Sequence, residues 1–336
     1  MKKLISLMLV LVMVTIVAMP LTSCTNADTE GDLKVAVVLA GATGDRSFYD
    51  SANEGLQALV DAGNVQGMLI ECQNDASMFT TNLISAAESN DVVVAVGWEF
   101  WDVLVECAPQ LPDTKFIFVD NGLDGVGDNL LSITYAQNEG SFLVGYIAGK
   151  LTTTNVIGAV GGEDSETIND FIVGYEAGAK YANPNIQVQT RYANTYEDPA
   201  KGKELALALY DAGCDIVFQV ASRTGEGVFE AAAERGLYAI GVDSDQKYIN
   251  PDVIICSMVK EVGLSIEQTV TALLEDGTWN GGEIWVADMS TDLIDVGYGD
   301  DTMTQQISSE LKAEVEQIKA DIISGKIKVP TAFGND

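Results

Sequence analysis

Histidine is absent from the 336 residues, and basic residues are few: 18 Lys+Arg stand against 50 Asp+Glu, a formal net charge of −32. Without imidazole there are no Ser-His-Asp triads, no His-based acid–base catalysis and few routes to a zinc site. An enzyme built on this chain would have to work with carboxylates, Lys, Tyr, Ser or Cys. The acid excess repels phosphate backbones, which argues against nucleic acid as a partner. Cysteine is also sparse. Cys72, Cys107, Cys214 and Cys256 are far apart, lack metal-type spacing and sit beside apolar runs. They are expected as buried free thiols, with a Cys72–Cys107 bridge as the alternative, and neither a metal nor a cofactor is expected. No short tandem repeat and no low-complexity segment interrupts the chain.

What is present begins with a leader. Met1-Lys2-Lys3 is a positive start, residues 4–19 are an apolar run too short for a membrane span, and Leu21-Thr22-Ser23-Cys24 resembles a bacterial lipobox. That resemblance implies cleavage before Cys24 and acylation of it, giving attachment to the extracytoplasmic face of the cell membrane. Two or more acyl chains hold stably where one would be marginal. Residues 25–32 then read as a polar tether.

From residue 34 onward short apolar runs alternate with amphipathic stretches. Continuous runs such as Lys34-Val35-Ala36-Val37-Val38-Leu39 are expected of strands covered on both faces. The alternation appears in two consecutive series, the second starting at Val156. It predicts an α/β protein of two Rossmann-like lobes with parallel sheets and a cleft between them. In such sheets ligands bind beyond the carboxyl ends of strands, which puts the segment Gly241-Val242-Asp243-Ser244-Asp245 at the cleft. Asp243 and Asp245 are its candidate ligand-binding residues; the competing expectation is a turn or a helix cap.

Other loops carry similar alternatives. The glycine loop 41–47 lacks the Gly-Lys-Ser/Thr ending of a P-loop. Phe48, just after it, is placed to stack on a flat ligand, with core packing as the alternative. Residues 120–129 are spaced loosely like a calcium loop but lack its terminal Glu. The stretch Glu163-Asp164-Ser165-Glu166 is expected to open a helix. Lys260 follows a strand and stands to pair with Asp243 or with ligand. Trp98 follows a strand end and is the one tryptophan of interest for binding.

Several of these segments, taken in order, resemble the basic-membrane-protein (PnrA-like) lipoproteins, solute-binding proteins of ABC importers. The matching stretches are Asp45-Arg46-Ser47-Phe48, Lys115-Phe116 to Asp120, Asn138-Glu139-Gly140-Ser141-Phe142, Asp198-Pro199-Ala200-Lys201-Gly202-Lys203, Phe218-Gln219-Val220-Ala221, Gly241 to Gln246, and Ser257-Met258-Val259-Lys260. The resemblance implies a type I periplasmic-binding fold with a hinge. Lobe 1 would span 33–152 and about 260–282, lobe 2 would span 153–259 and about 283–300, and 301–336 would be a helical tail. The strand near Glu283 is expected in the second lobe. It further implies a nucleoside ligand, most readily a purine nucleoside, and a permease and an ATPase as partners, with no enzymatic activity. Carried over residue by residue, Phe48 would be one stacking ring and Tyr196 the second. Asp120 would be a polar contact, Asp243 the acceptor for the ribose diol and Lys260 a supporting cation. The chain departs from the family at Leu39-Ala40-Gly41-Ala42, at Tyr49 where Asn is usual, and at Ser222-Arg223 where the family has Gly-Gly. Tyr49 and Ser222 are therefore expected to line the site while altering which base it accepts. The rival functions are a sensory receptor on the same fold and a nucleoside hydrolase using Asp243 and Asp245 with a metal.

Overall fold

The computed structural model describes residues 32–334. The expected leader, Cys24 and all but the last residue of the tether lie outside the described residues. From Leu33 the chain lays down β1 (Leu33–Leu39), α1 (Phe48–Asp61), β2 (Val65–Glu71), α2 (Ala76–Ala87), β3 (Val92–Val96), α3 (Trp101–Cys107), β4 (Lys115–Val119) and β5 (Leu130–Tyr135). The second series is α4 (Gln137–Leu151), β6 (Val156–Gly161), α5 (Glu166–Ala182), β7 (Gln187–Tyr192), α6 (Pro199–Asp211), β8 (Ile216–Val220), α7 (Glu226–Arg235), β9 (Tyr238–Asp243) and β10 (Ile254–Lys260). Then come α8 (Val262–Asp276), β11 (Ile284–Ala287), β12 (Ile294–Gly297) and α9 (Ser309–Ile323).

Two six-stranded sheets result, in the orders β11-β5-β4-β3-β1-β2 and β12-β10-β9-β8-β6-β7. All their pairings are parallel except β10 with β12. The alternation of side chains along a strand explains the layers. On β1, Val35, Val37 and Leu39 point toward α1, whereas Ala36 and Val38 join the core under α2 and α3; all five are fully buried. In the second sheet, Val217, Ala239 and Ile254 pack in the core beneath α6 and α7.

The lobe boundaries depart from expectation in two places. The strand expected in the second lobe, β11, pairs in register with β5 of the first sheet, Ile284 beside Ser132 and Ala287 beside Tyr135. The return to the second sheet comes only with β12, which is too short and too polar (Ile-Asp-Val-Gly) to be read as a strand from its pattern. The helix α4, expected with the first lobe, packs on α5, β10 and β12 of the second. Glycines let α4 and α5 touch along their backbones: a Cβ on Gly178 would sit 1.9 Å from the Phe142 carbonyl oxygen. The chain therefore crosses between the lobes near Ala136, near Glu261 and between Ala287 and Ile294.

Among the described residues the four cysteines are buried and unpaired, so Cys72 and Cys107 form no bridge. The tail is bound to the second lobe: Thr331 Oγ1 and the Ala332 amide donate to Asp170, and Asn138 donates to the Pro330 carbonyl.

Candidate functional site

The carboxyl ends of the strands from both sheets meet at one cavity. Phe48, Tyr49, Trp98, Glu99 and Asp120 line it from the first lobe. Ser165, Phe171, Tyr196, Ser222, Asp243 and Lys260 line it from the second. Of the residues singled out from the sequence as ligand contacts, Phe48, Tyr49, Asp120, Tyr196, Ser222, Asp243 and Lys260 face the same space and Asp245 does not. Trp98 faces it as well.

Lys260 is the centre of its charge. The side chain is 2 % exposed, and Nζ donates to Asp120 Oδ1 at 2.8 Å and lies 3.7 Å from Asp243 Oδ1. It also stands 4.9 Å from the Phe48 ring centroid and 5.1 Å from those of Tyr135 and Phe171, where ring quadrupoles favour a cation. Burial alone would push the ammonium down, but the charges of Asp120 and Asp243 outweigh it and hold Lys260 above the ordinary lysine range. One cation thus tethers carboxylates contributed by both lobes. Each carboxylate keeps acceptor capacity for a further donor.

The backbone at these carboxylates is unusual. Asp120 has φ 76° and Asp243 φ 63°, each at the end of its strand, and Ser222 follows β8 with φ 47°. Left-handed backbone outside glycine costs about 1–3 kcal/mol and persists only where the surroundings enforce it. Here it turns each side chain out of the strand direction and into the cleft.

The loop ahead of α1 reaches across to the second lobe. Ser47 Oγ donates to Asp243 Oδ2 at 2.6 Å, Ser222 Oγ donates to Asp45 Oδ2 at 2.9 Å, and Gln246 Nε2 donates to the Arg46 carbonyl at 3.0 Å. Asp45 also accepts from the amides of Ser47, Tyr49 and Asp50 at the start of α1, each at 3.1 Å. Burial nevertheless lifts its carboxyl to about 6, against the opposing pull of these donors. Asp45, Ser47 and Gln246 were not recognised as part of the site from sequence. Their roles depend on partners roughly 180 to 200 residues away in the chain, and no local pattern announces them. Phe171 was missed for a different reason, since an aromatic on a buried helix face reads as core.

Asp245 does not join Asp243. Its side chain accepts from the amides of Lys247 and Gly299, at 3.2 and 2.7 Å, capping a single helical turn outside the cavity. The capping alternative describes Asp245, and the ligand-contact alternative describes only the position of Asp243. Arg223 lies away from the cavity lining, half exposed and 3.8 Å from Glu197.

Two of the sequence departures prove to be one packing unit. Tyr49 is 6 % exposed, and its ring packs against Gly41, where a Cβ would fall 2.4 Å from Tyr49 Cε2. Gly41→Ala is expected to displace that ring and lower lobe stability by roughly 1–3 kcal/mol, as overpacking does. Tyr49→Ala leaves a cavity and is destabilising by itself, but in that background Gly41→Ala should cost little; denaturant unfolding of both single variants and the double variant would measure the coupling.

Two parallel-sheet α/β lobes that place facing aromatics and carboxylates in a shared cleft define a two-lobed solute-binding protein. Comparison with known proteins narrows this. Residues 32–332 match the family model of the ABC transporter substrate-binding proteins that are PnrA-like. The chain is 35% identical over 331 residues to the ABC transporter nucleoside-binding protein BmpA of Lactococcus lactis, covering 92% of each. It is 32% identical over 328 residues to basic membrane protein A of Borreliella burgdorferi, covering 96% of this chain and 95% of that one. Among solved structures, a solute-binding protein of an ABC transporter system from Aeropyrum pernix K1 superimposes with a TM-score of 0.79 at 25% identity, over 89% of this chain and 94% of that one. The chain belongs to the PnrA-like family of ABC transporter substrate-binding proteins and has the type I periplasmic-binding fold.

Proposed function

We propose that this protein binds a nucleoside between its lobes, on the outer face of the cell membrane and anchored through Cys24, and delivers it to an ABC permease without chemically altering it. The observation that carries the ligand class is the pairing of Asp243 and Asp120 around Lys260, directly beside the Phe48 ring. A vicinal diol offers two O–H donors, and a charged acceptor roughly doubles the strength of each bond. A flat base stacked on Phe48 or Tyr196 contributes roughly 1–3 kcal/mol per ring. A micromolar dissociation constant needs only about 8 kcal/mol, which these contacts supply. Since Ser47, Asp45 and Gln246 bond across the cleft, ligand contacts and lobe closure reinforce each other. The position of Asp245, turned into its own cap, removes the second carboxylate that a metal-assisted hydrolase was expected to use.

Thermal unfolding of the fragment beginning at Thr25, stripped of ligand by unfolding and refolding, tests this. Purine and pyrimidine nucleosides, free bases and ribose form the panel. A ligand present at one hundred times its Kd should add about 2.7 kcal/mol to stability. Nucleosides are expected to raise Tm where free bases and ribose do not, and the nucleoside should be recovered intact. A panel without any shift would remove the nucleoside assignment.

A further inference from the structure

Among the described residues, Glu99 Oε2 is buried and has no hydrogen-bond partner, and Glu99 lines the cleft cavity. The residue occupies the middle of the single helical turn Trp98–Phe100 that follows β3. Lys260 is the sole Lys or Arg in the cavity lining, and it is already engaged by Asp120 and Asp243. Burial lifts the Glu99 carboxyl to about 7, opposed by its own backbone amide and reinforced by the charges of Asp120 and Glu163. A buried acceptor left unpaired costs about 1–3 kcal/mol, more when charged. Neighbouring apolar residues would serve as packing at no such cost. An oxygen held unpaired on a residue that lines the cavity together with Phe48 and Tyr196 is an acceptor whose partner arrives with the ligand.

We infer that Glu99 is the base-reading residue of the nucleoside site, accepting hydrogen bonds from a base edge that carries adjacent N–H donors. That edge is the guanine type, a ring N–H beside an exocyclic amino group. The two oxygens of a planar carboxylate match two parallel N–H donors, the same fork geometry that pairs carboxylates with guanidinium groups. An adenine-type edge, acceptor beside donor, suits the neutral acid and gains no charge assistance. The inference rests on the nucleoside assignment proposed above and adds to it which base is selected.

Calorimetric titration of guanosine, inosine and adenosine into the wild-type protein and Glu99→Gln, at pH 8 and pH 6, tests it. Wild type should bind guanosine at least tenfold more tightly than adenosine. Glu99→Gln should weaken guanosine at least tenfold while changing adenosine less than threefold. Because the bound form is the carboxylate, guanosine binding to wild type should weaken from pH 8 to pH 6, and more so than binding to the variant. The other ionisable groups facing Glu99 (Tyr49 on α1, Asp120 after β4, Glu163 after β6 and Tyr196 after β7), and Asp45 behind Tyr49, remain in both proteins. The difference between the two profiles therefore isolates Glu99. Thermal unfolding of Glu99→Leu should give a Tm no lower than wild type, showing that the carboxyl is not needed for folding. Guanosine affinity that survives Glu99→Gln, or a wild-type preference for adenosine, would overturn the inference with the nucleoside assignment intact. Failure of all three nucleosides to bind wild type would overturn both.

Discussion

Asp243→Asn is expected to raise the nucleoside Kd about 100-fold while leaving the fold in place. Asp243 sits at φ 63°, and Asn tolerates left-handed backbone as well as Asp does, so the strand end keeps its shape. The amide is nearly isosteric, which preserves packing next to Lys260 and Ser47. What changes is acceptance. The carboxylate offers two anionic oxygens, one already taking the Ser47 hydroxyl at 2.6 Å, whereas the amide offers one neutral oxygen and turns a donor toward either Ser47 or the ligand. Hydrogen bonds to charged groups contribute about 1.5–3 kcal/mol each, so losing charge and one acceptor together corresponds to roughly two orders of magnitude in Kd. The Ser47 bond crosses the cleft, so closure should weaken as well. Calorimetric titration with the best nucleoside of the panel measures the loss, and an unchanged Kd would show that Asp243 serves the Lys260 pair and not the ligand.

Lys260→Met should destabilise the protein more than any other single change in the cleft, by about 3–5 kcal/mol, the usual result of breaking a buried ion pair from one side. At about 2–4 °C per kcal/mol for a domain of this size, Tm should fall by about 10 °C. The methionine fills most of the lysine volume, so the loss is electrostatic. Asp120, largely buried, would be left with Asp243 beside it and no cation to offset desolvation. Its carboxyl would then rise further in the folded state. An acid whose folded pKa lies above its unfolded value contributes most below the unfolded pKa, and that contribution fades as pH rises through the folded one. The deficit of Lys260→Met relative to wild type should therefore be smaller at pH 5 than at pH 8. Thermal unfolding of both proteins across this range would show it, and a deficit that narrowed toward pH 8 would mean that Asp120 stays ionised through other donors.

The larger features of this molecule were legible before any coordinates. Runs such as Val35 to Leu39 and Val92 to Val96 are apolar at every position, which only a parallel sheet covered on both faces requires, and their alternation with amphipathic helices announced two lobes. Strand ends carrying Phe48, Asp243 and Lys260 pointed at one crevice because strands of a parallel sheet all deliver their carboxyl ends to the same edge, whereas Asp120 entered only through the family resemblance. These are local signals, with periods of two or 3.6 residues and loops of a few residues.

Tertiary structure decided the rest. Asp243 and Asp245 are two residues apart and chemically identical, yet one faces the cleft and the other caps a turn against Gly299. Nothing in five residues of sequence distinguishes them, since the choice depends on a left-handed backbone at Asp243 and on an amide 54 residues downstream. The membership of β11 in the first sheet rests on pairing with β5, and pairing is a property of two segments, not of one. Glu99 is the sharpest case. In the sequence it is one of 50 acidic residues, and no pattern around it sets it apart. Only the folded structure buries its Oε2 and places the residue in the lining of the cleft. Burial is what gives a charge its meaning, and burial is set by the parts of the chain that meet from far away.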